Sequence, residues 1–398
     1  MGMMKPRYGI FVVAMSWPAF ATIDVYKPAN MELGTGWKLT PQLRAAVGFD
    51  DNTAHTNSDE TDSWFLELAP EFLLHAGNEV TSYKIGYLLT DGNYFSSSED
   101  DYTDHRFKVD LSHDFTRRHR LDFNYTYRRD HEARGKGITE GNGNNVNEVA
   151  EFDVQDVSAT YGFGIPTAKL NADFMLGYYQ KDYTNFEPIS DFRDYDAVLG
   201  SITGYWRLSQ KTSIVLQWLG EDKTYDRSDA TGSRDSFTQT LLGGVKWEAT
   251  SNTIGEVKVG YENRDFDDGD REDFDGLAWE ARVVWKPRSY STFEFTTGNQ
   301  AKDPDTFGDY VEEQSYQLNW HHKWRERMAT NFDLQYLDES YTGIDRDDEE
   351  WTMRVGLEYA WRRWLVTEFS YAYSDHSSDL QQVEYDKSVW LLSTRIAL

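Results

Sequence analysis

The sequence contains no cysteine, which excludes disulfides, thiol nucleophiles and thiolate metal sites. That absence suits a chain that crosses an oxidising periplasm while still unfolded. No run of eighteen apolar residues occurs either, so no segment can cross a bilayer as a helix, which takes about 20 residues. Positive charge is scarce, with 40 Lys and Arg against 68 Asp and Glu and a formal net charge of -28. A polyanionic partner such as nucleic acid is thereby disfavoured, and none is expected. Apolar residues make up only 39% of the 398 positions and mean hydropathy is -0.71, values that alone describe a polar soluble protein.

Aromatic residues are abundant and argue against that description. Tyr, Phe and Trp number 25, 22 and 14, or 15% of the chain, more ring surface than so polar a chain needs for a soluble core. A transmembrane β-barrel combines both properties, because alternate residues face lipid, the others face a wet lumen, and rings gather at the two interfaces. The N-terminus fits export. Residues 1–21 have a basic start with Lys5 and Arg7, an apolar stretch from Tyr8 to Trp17 and a small-residue site Ala19-Phe20-Ala21, the pattern of a cleaved signal peptide. Residues 22–41 are then expected to form a periplasmic lead-in and 42–398 the barrel.

Periodicity supports the barrel. Trp351, Met353, Val355, Leu357, Tyr359 and Trp361 alternate with Thr352, Arg354, Gly356, Glu358 and Ala360, a period of two with one face suited to lipid and the other to water. The same alternation recurs from Gln42–Asp50 to a last segment Ser388–Leu398. It predicts an all-β fold, a transmembrane antiparallel up-and-down barrel of about eighteen strands, with boundaries good to about two to four residues. Connections alternate in length too. Tight links such as Thr116–His119 and Arg362–Arg363 should face the periplasm, and long acidic or Gly/Asn-rich links should face outside. An even strand count leaves both termini periplasmic.

A barrel of this size holds an aqueous interior. Alternation places Arg44, Lys84, Lys108, Asp110, Arg128, Lys258, Glu262, Glu280, Arg282, Arg354, Glu358 and Glu368 on its inner face as lumen-lining candidates, with Asp122 and Asp173 beside them. Opposite charges on neighbouring strands would pair and stiffen the wall. A polyanion channel should show an excess of Lys and Arg; here the signs are mixed, which favours a neutral or mixed-charge solute. The segment Asp130–Ala150, with Gly135, Gly137, Gly141 and Gly143, reads as a mobile outer loop, or more sharply as a constriction loop folded into the lumen.

Chemistry-bearing constellations are few. Asp130-His131 and Asp375-His376, the latter among Ser374, Ser377 and Ser378, could sit at the outer rim where membrane hydrolases place such groups, but no third group is positioned by the sequence. The run Asp265, Asp267, Asp268, Gly269, Asp270 has its glycine at the wrong offset for a calcium loop. No enzyme activity, cofactor or metal site is therefore expected. The acidic tracts read as solvated loops, or as ligands for divalent cations that bridge lipopolysaccharide.

The opening Leu39-Thr40-Pro41-Gln42-Leu43, then Val47-Gly48-Phe49-Asp50-Asp51-Asn52-Thr53 and Leu68-Ala69-Pro70-Glu71-Phe72, resembles the putative β-barrel porin 2 family, as do His105-Arg106-Phe107 and the turn Thr116-Arg117-Arg118-His119-Arg120. Members of that family commonly accompany exopolysaccharide or capsule gene clusters. The resemblance implies a porin-like channel of the Gram-negative outer membrane that exports exopolysaccharide or capsular polysaccharide, with periplasmic export machinery as a partner. The residues leave two alternatives open: a general or solute-selective uptake porin, and a plugged structural or adhesive barrel. Surrounding lipid and lipopolysaccharide are expected in every case. The unbroken ring-rich belt favours a monomer.

Overall fold

The computed structural model describes residues 26–165, 167–250 and 252–397. The expected signal peptide, 1–21, and the terminal Leu398 lie outside the described residues. A short hairpin arm β1 (Met31–Gly34) leads into β2 (Trp37–Asp50), β3 (Ser63–Gly77), β4 (Thr81–Tyr94), β5 (Tyr102–Thr116) and β6 (His119–Glu132). There follow β7 (Ala150–Phe163), β8 (Leu170–Tyr183), β9 (Tyr195–Arg207), β10 (Thr212–Tyr225), β11 (Ser236–Thr250), β12 (Thr253–Phe266) and β13 (Phe274–Arg288). The last six are β14 (Ser291–Lys302), β15 (Val311–Arg325), β16 (Met328–Tyr341), β17 (Asp347–Arg362), β18 (Leu365–Ser378) and β19 (Tyr385–Ala397).

Each of β2 to β19 pairs antiparallel with its sequence neighbours, and β19 returns to β2 with Val389 opposite Asp50 and Ala397 opposite Gln42. The result is a closed barrel of eighteen strands, so every central strand has both ladders filled and no edge is left open. All eighteen expected strands are present. Most extend a few residues past their expected outer ends, because acidic and Tyr residues there continue the alternation with polar atoms on both faces.

Exposure along β17 shows why this sequence adopts this fold. Trp351 is 45% exposed, Leu357 45% and Trp361 52%, whereas Arg354 is 8%, Glu358 2% and Ala360 0%. Apolar groups face outward and charges inward, the inverse of a water-soluble core, which is stable only where the outer face meets lipid. Trp351 and Trp361 stand ten residues apart. At about 3.3 Å per residue and a tilt of about 40°, that span crosses about 25 Å of membrane. Ring contacts mark both interfaces: Trp285, Phe293 and Trp320 stack across three strands at one level, and Tyr316, Tyr336 and Trp351 at the other.

Eight connections are short: 78–80, 117–118, 164–169, 208–211, 251–252, 289–290, 326–327 and 363–364. Nine run from five to seventeen residues: 51–62, 95–101, 133–149, 184–194, 226–235, 267–273, 303–310, 342–346 and 379–384. The short set faces the periplasm and the long set the exterior. At the periplasmic end the chain before β1 folds back onto the wall. Tyr26, 7% exposed, sits among Ala329, Ala360, Val366 and Ala397 from four successive strands. Its hydroxyl donates to Gln42 Oε1 at 2.9 Å, and the Lys27 amide donates to the Arg363 carbonyl at 2.7 Å. The first barrel strand thus begins at Trp37 rather than Gln42, because the hairpin with β1 extends it downward.

Candidate functional site

The charges expected on the inner face share the polar phase of their strands, and most are joined in pairs. Arg44 pairs with Glu67 of the adjacent strand. Lys108 meets Asp110 at 3.2 Å, and Lys84 stands exposed opposite Asp110 in the ladder. Arg128 holds Asp130 at 2.9 Å. Lys258 bridges Glu280 at 2.6 Å and Gln217 at 2.5 Å, while Glu262 accepts from the Ala301 amide at 2.8 Å and the Thr240 hydroxyl at 3.1 Å. Arg282 meets Glu294 at 2.6 Å. Arg354 meets Glu368 at 3.0 Å, with Glu358 buried on the same face of β17. Apart from Lys108–Asp110 and Arg128–Asp130, which lie two residues apart on one strand, these contacts tie different strands, as cross-strand ion pairs do, and they form no single converging cluster.

Convergence occurs instead at the outer mouth, in loops that carry no periodic signal. Loop 133–149 is not free in solvent: Arg134, Gly135, Gly137, Ile138, Thr139 and Gly143 are all buried. Arg134 is 6% exposed and holds Asp100 through two bonds, Nε to Oδ1 at 2.7 Å and Nη2 to Oδ2 at 2.6 Å, with Ser97 Oγ at 3.0 Å. Hydrogen bonds to Asp100 raise the Arg134 guanidinium above its ordinary range. Beneath it, His55 contacts the Arg134 carbonyl through Nδ1 at 3.0 Å and Lys387 through Nε2 at 3.1 Å. Since a lysine ammonium only donates, Nε2 accepts and Nδ1 carries the proton. Burial and then Lys387 hold His55 well below the usual imidazole range. Glycine is required where the loops cross, because a Cβ at Gly135 or Gly143 would strike the Ala54 carbonyl.

The loop then reaches the far wall. Lys136 Nζ meets Glu350 Oε2 at 3.0 Å and lies 4.4 Å over the Tyr385 ring. Glu140 accepts from Arg346 at 2.6 and 2.9 Å and from the Thr306 hydroxyl at 3.1 Å. Loop 133–149 leaves β6, whereas Glu350 lies on β17, seven strands away by one route round the ladder and eleven by the other. These contacts are therefore chords across the bore. The segment is folded inward, as the sharper of the two expectations has it. Its first three positions, Asp130 to Glu132, belong to β6.

A second loop, 303–310, meets the first at Thr306. Asp303 is held by Lys223 at 2.7 Å and by Arg264; burial opposes its charge, yet these cations keep it well below the usual carboxylate range. The Thr306 carbonyl accepts from Arg193. Lys302 joins Glu313 at 2.8 Å and also Glu339.

The pairs considered for catalysis are used otherwise. Asp130 is taken by Arg128, and His131 stacks on Tyr102 with Nδ1 2.9 Å from Asp104. His376 stands between Asp348 at 3.3 Å and Glu350 at 3.4 Å and stacks on Tyr385, while Asp375 accepts from Tyr373 and Ser377 on the other face of β18. Neither histidine joins a serine. Ligand atoms of Glu140, Asp348 and His376 lie within 4.8 Å of one another, but Arg346 already occupies both carboxylates, and a guanidinium there takes the place a cation would need.

The architecture is that of known outer-membrane channels. The chain is similar in fold to Pseudomonas aeruginosa OccK2 (OpdF), with 10% identity, a TM-score of 0.50, and coverage of 91% of this chain and 98% of that one. The same channel in complex with glucuronate matches at 11% identity and TM-score 0.50, covering 90% and 98%. The outer membrane protein OpdK of the same organism matches at 11% identity and TM-score 0.49, covering 90% and 99%. No curated protein matches the sequence. The family described as "Putative beta-barrel porin 2" matches residues 24–398. A closed eighteen-stranded barrel with a lipid-suited exterior and a charged inner phase fits that description, and the chain belongs to this family of porin-like channels of the Gram-negative outer membrane.

Proposed function

We propose that this channel is a solute-selective uptake porin. The observation that carries the reading is the crossing of loops 133–149 and 303–310 at the outer mouth, fixed by the Lys136–Glu350, Glu140–Arg346 and Glu140–Thr306 contacts. An eighteen-stranded wall alone would leave a wide aqueous passage. A mouth crossed by ion-paired chords passes small solutes and rejects large ones, and its lining selects among those that fit. Polysaccharide export, which the family resemblance implied, needs a continuous bore for a long chain, and rigid chords at the exit oppose it.

In this reading the paired charges from Arg44 to Glu368 line the lumen below the crossing as a stiff, mixed-sign wall. The protein acts as a monomer, because lipid-suited side chains such as Val47, Leu68, Leu176, Ile202, Leu241 and Leu392 are exposed round the ladder. The test is reconstitution of the purified protein in planar bilayers and in liposomes loaded with sugars of graded length. Small, steady conductance with permeation of mono- and disaccharides and exclusion of long oligosaccharides is expected. Passage of long chains would restore the export reading, and absence of any conductance would indicate a plugged barrel.

A further inference from the structure

We infer that Asp305 makes the outer crossing a cation-preferring filter, so that the solutes admitted are small cations and uncharged molecules rather than anions. The inference rests on the uptake reading and deepens it. Asp305 lies in loop 303–310 between two anchored neighbours, Lys302, tied to Glu313 and Glu339, and Thr306, tied to Glu140 and Arg193. Its position is thus fixed from both sides.

Two features support its facing the passage. Asp305 is exposed to solvent, yet its electrostatic neighbours are Glu140, Lys302, Glu132 and Glu339, from both sides of the barrel. Glu132 on β6 and Glu339 on β16 are eight strands apart by the shorter route. A carboxylate that senses both walls and still touches water stands in the bore, not on the outer surface.

The surrounding charges do not cancel it. Lys302 is shared by two glutamates, and Lys181 serves Glu132 at 2.8 Å. Arg346 serves both Glu140 and Asp348. These three cations are committed to other acids, and Arg193 donates to the Thr306 carbonyl rather than to Asp305; Asp305 thus adds a negative charge to a set in which each of its acidic neighbours already has a cation. The approach has the same sign, since the nine outer loops hold 26 Asp and Glu against seven Lys and Arg. Such a mouth concentrates cations and repels anions before they reach the crossing.

The experiment is the reversal potential of the reconstituted full-length channel under a KCl gradient. The wild type is expected to pass potassium in preference to chloride. Asp305→Asn should lower that preference about sixteenfold, since a unit charge about 5 Å away in water favours a cation about fourfold and disfavours an anion by the same factor. Asp62→Asn, the same charge change at an exposed position of loop 51–62, should leave it nearly unchanged. An anion-selective wild type, or an Asp305→Asn channel of normal conductance with unaltered preference, overturns this inference while leaving the uptake reading intact. A wild type without conductance overturns the uptake reading itself, and the filter with it.

Discussion

At the outer end of the barrel nine connections carry 26 acids and seven bases, whereas the eight periplasmic turns carry two acids and six bases. The difference extends to how each end is closed. Outside, closure is ionic and buried: the side chains of Arg134, Arg271 and Arg346 are 7%, 0% and 1% exposed and bind carboxylates from other loops. At the periplasmic end the contact is mainly apolar and slight, one tyrosine packed on the wall among three alanines and a valine with a hydrogen bond to Gln42. Strand alternation builds the same wall at both ends. What differs is chiefly loop length: the seventeen-residue loop 133–149 reaches far enough to meet Arg346 of the five-residue connection 342–346 and to bring Arg134 to Asp100, where the guanidinium donors are satisfied.

The contrast breaks most sharply at Arg134. Arg134→Ala leaves the Asp100 carboxylate, 5% exposed, without its cation, a local cost of about 3–5 kcal/mol. Loop 133–149 should then open, trypsin should cleave after Lys136 in the folded barrel, and conductance should rise. A protease-resistant variant of unchanged conductance would mean that the crossing is held elsewhere. Next comes Tyr26→Ala, which removes about 1.5–3 kcal/mol of apolar burial. The segment before β1 should become protease-sensitive while conductance stays as it was. If this variant opened the pore more than Arg134→Ala, the narrowest point would lie at the periplasmic end.

The wall was legible in the sequence because every strand repeats one constraint, apolar out and polar in, and one error of register would invert a whole strand. Arg44, Lys258 and Arg354 could be assigned to the polar phase by counting alone. The crossing was not legible in the same way. Arg134, Lys136, Glu140, Asp305 and Arg346 lie where no periodicity exists, and their partners are far along the chain: Arg346 and Glu140 are separated by 206 residues. The four glycines between 135 and 143 were the available signal, since loops that pass close to other backbone need positions without a Cβ. They marked the right segment without revealing what it would meet.

The acidity of the outer end can be titrated. Asp305 keeps contact with solvent, but the protein walls crowding the crossing partly desolvate its carboxyl and, with Glu140 close by, push it up to about 6. A raised acid holds its proton below that pH and is charged above it, so cation preference should be full near pH 8 and decline as pH falls through 6. The groups facing it, Glu132, Glu140 and Glu339, with Lys302 among them, set the slope. In Asp305→Asn the decline between pH 7 and pH 5 should shrink. An equal decline in that variant would assign the titration to its neighbours.

The smallest effect is expected from the periplasmic turns. Arg117 and Arg118 are exposed at the tip of the β5–β6 turn, where the Arg118 amide donates to the Thr116 hydroxyl and the Arg118 carbonyl accepts from the Gly164 amide. Replacing both with Gln should shift stability by less than about 0.5 kcal/mol per site. Electrically the pair can act only within a screening length, about 8 Å at physiological ionic strength and about 3 Å at 1 M. A slight current asymmetry at low salt that vanishes at 1 M KCl is therefore expected, with the potassium-to-chloride ratio unchanged. If the double variant at 1 M altered that ratio as much as Asp305→Asn, charge selection would reside in the basic periplasmic end, and the acidic crossing would be only a sieve.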